Sequence, residues 1–230
     1  MAGEPGTRRR RAIQAGVLML GWVTLMWVLT AIDGGTPRCF PGMADQPLVC
    51  EYGIEPRDPG ELRDIFPAAF LHFGYDHLIA NSVPLLVFGF IAALRGIGRF
   101  LGVCLIIITI SGLGVWLTSA PGSITAGASG VVFGLFGYLL VRGFVERNAL
   151  DITVGIVVFL LYGSILWGVL PTASGVSWQG HLFGLIGGVL AAFWLRRTPT
   201  TPGGRGRRWG GGRGWGGPRG LQGPPPGHPG

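Results

Sequence analysis

The sequence contains no lysine; all 18 of its basic residues are arginine. We read that as a coding bias rather than a mechanism. Charge of either sign is scarce, at 13% of 230 residues, where a soluble domain carries about 25%. The scarcity is uneven: long apolar runs alternate with short charged stretches, and mean hydropathy is +0.48. This excludes an ordinary water-solvated domain and fits a chain solvated by lipid. Cysteine is also sparse, with three residues, and no C-x-x-C or H-E-x-x-H spacing occurs. Nothing therefore points to a metal site, and no cofactor is expected. Cys39 and Cys50 share one polar segment and could pair if it faces an oxidising compartment. Closing so short a loop would stabilise it by roughly 3 kcal/mol; two free thiols are the alternative. The net charge of +7 suggests nucleic acid. Position argues otherwise, because most arginines flank apolar runs or lie in the tail, so no nucleic-acid partner is expected.

What is present is a series of membrane-length runs. Residues 1–12 form a basic N-terminus with Arg8, Arg9, Arg10 and Arg11 in a row. Ile13 to Ile32 is apolar for about 20 residues, enough at 1.5 Å each to cross a hydrocarbon core of roughly 30 Å. The run is longer than the apolar part of a signal peptide and no A-x-A site follows, so a retained helix is expected. Residues 33–74 form a long polar connection ending in the apolar, aromatic stretch Ile65 to Phe73. Five more apolar runs follow, at 77–94, 100–118, 129–145, 152–170 and 178–195. Gly/Pro/Ser breaks such as Ala120-Pro121-Gly122-Ser123 mark the turns. The expected fold is all-α: a polytopic membrane bundle of six transmembrane helices over residues 13–196. From 197 to 230 the chain is mostly Gly, Pro and Arg, a composition that cannot bury a core and predicts disorder. Its arginines are expected near anionic headgroups; RNA binding by such a tail is the weaker reading.

Six helices put both termini on one side. With the N-terminus inside, the inner segments hold Arg8–Arg11, Arg95, Arg99, Arg142, Arg147, Arg196, Arg197, Arg205, Arg207, Arg208, Arg213 and Arg219, which is 15 of the 18. The outer segments hold only Arg38, Arg57 and Arg63. This positive-inside bias predicts a multi-pass protein of the cell membrane with both termini cytoplasmic.

Strongly polar side chains in lipid-spanning segments are costly and need a reason. Here they are His77 and Asn81 in the second span, Ser129 at the start of the fourth, and His181 at the start of the sixth. All three spans run from outside to inside, so the four side chains share one layer near the outer face. His77 and Asn81 are spaced i, i+4 and share a helix face. Ser129 sits in Gly127-Ala128-Ser129-Gly130, where glycine permits a sharp turn and close approach. His181 is followed by Gly184 and Gly188, a small-residue groove matched by Gly130, Gly134 and Gly137 on the fourth span. Packing the two would bring His181 within reach of Ser129. A serine hydroxyl is a poor nucleophile until a neutral imidazole removes its proton. The resulting oxyanion needs donors, for which the Asn81 amide, the His77 ring and the Ser129 backbone N–H are candidates.

His72-Phe73 before His77-x-x-x-Asn81, then Gly127-x-Ser129-Gly130, then His181-x-x-Gly184-x-x-x-Gly188 closely resembles the rhomboid intramembrane serine proteases. The resemblance covers about residues 13–195. It implies a bacterial-type six-helix core with a Ser129–His181 dyad lacking a third acid, and an oxyanion site of His77, Asn81 and Ser129. It implies that the first outer loop lies partly in the membrane and that His72 anchors a loop. It implies as substrates membrane proteins whose helices unwind at small residues. Entry is expected past the fifth span and its outer loop, where Trp167 and Trp178 could line a gate. Two features depart from the pattern. Phe133 replaces a tyrosine that stacks on the catalytic histidine in many members, and a loop Trp-Arg pair is absent, with Arg57 a possible substitute.

Taken singly, Ser129 would more often be a helix-satisfied hydroxyl, and Gly184 and Gly188 ordinary packing residues. The joint pattern carries the reading. A transporter would show coupling carboxylates or broken helices at mid-depth, and an aspartyl intramembrane protease would need a partner for Asp76. The alternative kept open is an inactive rhomboid-like protein that binds membrane clients, although such proteins characteristically lose the serine or histidine that this chain retains.

Overall fold

The computed structural model describes residues 5–35, 37–39, 46–171 and 176–196; the tail expected to be disordered lies outside them. Within the described residues, seven α-helices follow in order: α1 (Pro5–Ile32), the single turn α2 (Leu48–Glu51), α3 (Tyr75–Ala93), α4 (Ile97–Thr118), α5 (Ser129–Glu146), α6 (Ala149–Tyr162) and α7 (Trp178–Trp194). Three 3₁₀ segments, Pro59–Ile65, Pro67–Phe70 and Gly163–Val169, complete the helical content. Among the described residues no β-strand forms; one isolated bridge joins Ile54 to Thr125.

Among the described residues, five helices are long and apolar enough to cross a membrane: α1, α3, α4, α5, and α6 with its 3₁₀ extension to Val169. The chain is thus a helical membrane bundle. The expected sixth span, α7, has 17 residues, about 25 Å, at the short end of what can span. Two boundaries differ from the hydropathy reading. α1 begins before the apolar run and includes Arg8–Arg11, because arginine is a good helix former and the helix need not stop at the lipid boundary. The 152–170 run is divided at Gly163-Ser164, residues of weaker helix propensity, where α-helix gives way to 3₁₀.

α5 is the centre of the bundle, with 12 of its 18 residues buried. It packs on α7, α6, α3 and α4, whereas α1 packs on α3. The α5–α7 contact is set by glycine. A Cβ placed on Gly184 would lie 2.2 Å from the Gly130 carbonyl oxygen, and one on Gly188 1.7 Å from that of Gly134. Without hydrophobic drive between helices in lipid, such backbone approach supplies the dispersion contacts that hold them. α6 is the peripheral helix, with only Asp151, Gly155 and Val158 buried and Leu160 and Leu161 exposed to the surroundings.

The N-terminal end of α6 is fixed by charge. Asp151, 2% exposed, accepts from Arg95 and from Arg142 Nη2 at 3.0 Å, and Arg142 lies over the Tyr138 ring. Arg142, counted in the sequence as a flanking inner arginine, is therefore buried within α5 and held by its partner. Asn148 caps α6 by accepting from the Asp151 N–H.

The long loop is tied down at both ends. Cys39 and Cys50 are bonded, with Cα atoms 5.5 Å apart. Asp33 accepts from the N–H groups of Leu48 and Val49, at 2.7 and 3.0 Å. Ile54 exchanges backbone hydrogen bonds with Thr125. Arg57 donates from its backbone to the Trp116 carbonyl and from Nη2 to the Ser119 carbonyl at 3.1 Å. These carbonyls sit at the C-terminal end of α4, where a cation is favoured. The loop is thereby docked on the segment 119–127, which leads into Ser129.

Candidate active site

α3, α5 and α7 each begin at the wall of one cavity of about 940 Å³. His77, Asn81, Ser129 and His181 all line it, together with Phe133 and Trp178. The side chains are the third and seventh residues of α3, the first of α5 and the fourth of α7. Trp167 is not among the lining residues; its side chain is 73% exposed. Among the described residues, no three His, Cys, Asp or Glu side chains are grouped to hold a metal ion.

Ser129 is the first residue of α5, after Ala128 as N-cap. The first N–H groups of a helix lack intrahelical partners, and the helix dipole adds positive potential there. Negative charge developing beside Ser129 would meet both. The preceding turn is held from below: Gly127 N–H donates to the Ala68 carbonyl at 2.9 Å, and Ala128 N–H donates to His72 Nε2 at 3.4 Å. Gly127 has φ +138, and a Cβ there would lie 2.6 Å from His77 Cε1. Only glycine combines that conformation with the packed ring.

His72 is fully buried and packs edge-on to His77, with centroids 5.1 Å apart. It precedes α3, and burial, with the neighbouring His77 as a second cause, pulls its pKa from 6.5 down to about 3. It stays neutral and able to accept. The unfolded chain binds this proton near 6.5 and the folded chain only near 3. Its stabilising contribution is therefore present above pH 6.5 and lost as pH falls toward 3. Replacing His72 by Leu leaves the Ala128 N–H buried without an acceptor, at a cost of about 1–3 kcal/mol. We expect a lower melting temperature in detergent for His72→Leu and partial recovery in His72→Gln. Melting measured from pH 7 to 4 should fall less steeply in His72→Gln than in the wild type.

His181 is 6% exposed. Its helix is capped by Ser177, which accepts from Gly180 N–H at 3.2 Å, and is drawn to α4 by Ser111, which donates to the Gly180 carbonyl at 2.9 Å. The ring stacks on Phe133, with centroids 4.0 Å apart and an interplanar angle of 6°. Phe133 thus makes the ring contact without a hydroxyl. His181 Nδ1 lies 2.8 Å from the Gly168 carbonyl oxygen.

Asn81 donates one amide N–H to the His77 carbonyl at 3.0 Å, so the i, i+4 pair also forms a bond within its helix. A primary amide has a second N–H and a carbonyl oxygen left. Pro84 has no N–H to give the Ala80 carbonyl, and both residues line the cavity. Sequence reasoning missed Ser111, Ser177 and Gly168. Ser177 had a helix-start signal, Ser before the apolar run; Gly168 acts through a backbone atom that leaves no side-chain mark.

The Rhomboid domain family model matches residues 59–198. An uncharacterized protein of Mycobacterium tuberculosis is 38% identical over 197 residues, covering 82% of this chain and 78% of its own length. The rhomboid protease GlpG of Pectobacterium atrosepticum is 32% identical over 143 residues, 60% of this chain and 50% of its own. The rhomboid protease GluP of Bacillus subtilis is 30% identical over 182 residues, 76% of this chain and 33% of its own. With the matched domain covering the bundle from the first 3₁₀ turn through α7, the chain belongs to the rhomboid family, a multi-pass membrane protein of the intramembrane protease class.

Proposed function

We propose that the protein is an intramembrane serine endopeptidase that hydrolyses peptide bonds in or near the transmembrane helices of membrane-protein substrates. The observation that carries this reading is the convergence of Ser129, His181, His77 and Asn81 on one cavity from three helix N-termini. In this account Ser129 Oγ attacks the scissile carbonyl carbon as His181 takes its proton. The oxyanion is held by the Ser129 N–H, the His77 ring and the remaining Asn81 N–H. Collapse breaks the C–N bond, and His181 returns the proton to the leaving amine. A water, deprotonated by His181, then attacks the acyl ester and releases Ser129.

A helix keeps its own carbonyls hydrogen-bonded, so the substrate must unwind locally to be cut. Helices weakened by small residues therefore suit the site. The arginine distribution supports an orientation with both termini cytoplasmic and the cavity toward the outer face. Purified protein in liposomes should release two fragments from a single-span substrate with small residues near its outer end. Intact substrate across a panel of such helices would contradict the proposal.

A further inference from the structure

The dyad as proposed has no third member, yet the His181 ring is held from behind by a hydrogen bond. Nδ1 lies 2.8 Å from the Gly168 carbonyl oxygen. A carbonyl oxygen can only accept, and two lone pairs at that distance would repel, so Nδ1 carries the hydrogen. The neutral ring has one N–H, which leaves Nε2 as the basic nitrogen. We propose that the Gly168 backbone carbonyl is a positioning group for His181: it fixes the tautomer that leaves Nε2 free to take the Ser129 proton, in place of a carboxylate.

Two further observations support the assignment. First, the approach needs glycine. A Cβ on Gly168 would lie 2.8 Å from Phe133 Cζ and 3.1 Å from His181 Nδ1. The glycine backbone therefore lies against both stacked rings, and a side chain would push the carbonyl off the imidazole. Second, the carbonyl is carried by the 3₁₀ segment Gly163–Val169, which also supplies Ile165 to the cavity wall. That segment is seated on the bundle by Tyr162, edge-on to Phe88 at 5.0 Å, and by the apolar side chains of Ile165 and Leu166. Ile165 in the cavity wall and Gly168 against the base are thus three residues apart in one segment. The carbonyl also lies beside the imidazolium that forms during proton transfer, where its negative end is favourable.

This inference rests on the dyad reading, and its test does not need turnover. The full chain, labelled with ¹⁵N-histidine and held in detergent micelles, reports each ring's tautomer by NMR; comparison with His181→Ala assigns the His181 signals. The wild type is expected to show a protonated Nδ1 and an unprotonated Nε2. Gly168→Ala should shift the signals toward a mixture of tautomers and lower kcat about tenfold or more, with KM changed much less. Gly163→Ala is the matched control in the same segment. Its added methyl meets only the Phe159 ring at 3.4 Å, ordinary contact, and both readouts should stay as in the wild type. A wild-type ring protonated on Nε2, or a Gly168→Ala spectrum identical to wild type, overturns the positioning role and leaves the protease reading standing. A wild type with Nδ1 protonated that cleaves no substrate upholds the positioning and removes the protease reading instead.

Discussion

Ser129→Ala will reduce cleavage of a transmembrane substrate to the uncatalysed background, and His181→Ala will do the same. The double variant will be no worse than either single one, because in the proposed mechanism nucleophile and base act as a unit. The loss will not come from misfolding. Ser129 is the first residue of α5, but the cap position belongs to Ala128, so alanine at 129 removes no capping bond. It removes a single oxygen from the cavity wall. Melting in detergent should therefore remain within about 0.5 kcal/mol of wild type, the range of substitutions away from cores and caps. Loss of activity together with melting of the bundle would point to a structural serine.

Gly188→Ala will both destabilise the bundle and remove activity, although Gly188 is a full helical turn beyond Gly184 and does not line the cavity. The added methyl would sit 1.7 Å from the Gly134 carbonyl oxygen and 2.6 Å from its carbon. Those are backbone atoms of the central helix and have no alternative rotamer, so α5 and α7 must separate. We expect a cost of at least about 3 kcal/mol, at or above the usual ceiling for overpacking. Separation would carry His181 away from Ser129, and a misplacement of about 1 Å costs on the order of 100-fold in rate. Gly184→Ala, 2.2 Å from the Gly130 oxygen, should behave alike. Gly98→Ala at the start of α4 meets nothing within 4 Å and should be tolerated. Melting curves and cleavage rates of the three variants check the ordering.

The spans were legible because lipid demands long uninterrupted apolar runs, and α3, α4, α5 and α7 begin or end within about three residues of them. That Ser129, His181, His77 and Asn81 meet at one cavity was legible because polar groups near the starts of alternate apolar runs stand out. The glycines at 130, 134, 184 and 188 could be read because close helix approach selects for small residues at every fourth position. Less visible were features made by backbone atoms or by partners distant in sequence. The Ile54–Thr125 bridge and the grip of Arg57 on the Trp116 and Ser119 carbonyls fall in this class. So does Gly168, which acts through its carbonyl and in the sequence is one more glycine of an apolar run. The burial of Arg142 was not visible because an arginine count does not show Asp151, nine residues on, turning back to meet it. Asn81 was read as a candidate oxyanion donor; that one of its N–H groups serves its own helix was not foreseen.

The most direct measurement is peptide mapping by mass spectrometry after the protein in bilayers has reacted with a fluorophosphonate. The probe phosphonylates only a hydroxyl activated by a neighbouring base. One adduct is expected, on Ser129, absent from His181→Ala. An adduct on another serine, or undiminished labelling of Ser129 in His181→Ala, would contradict it.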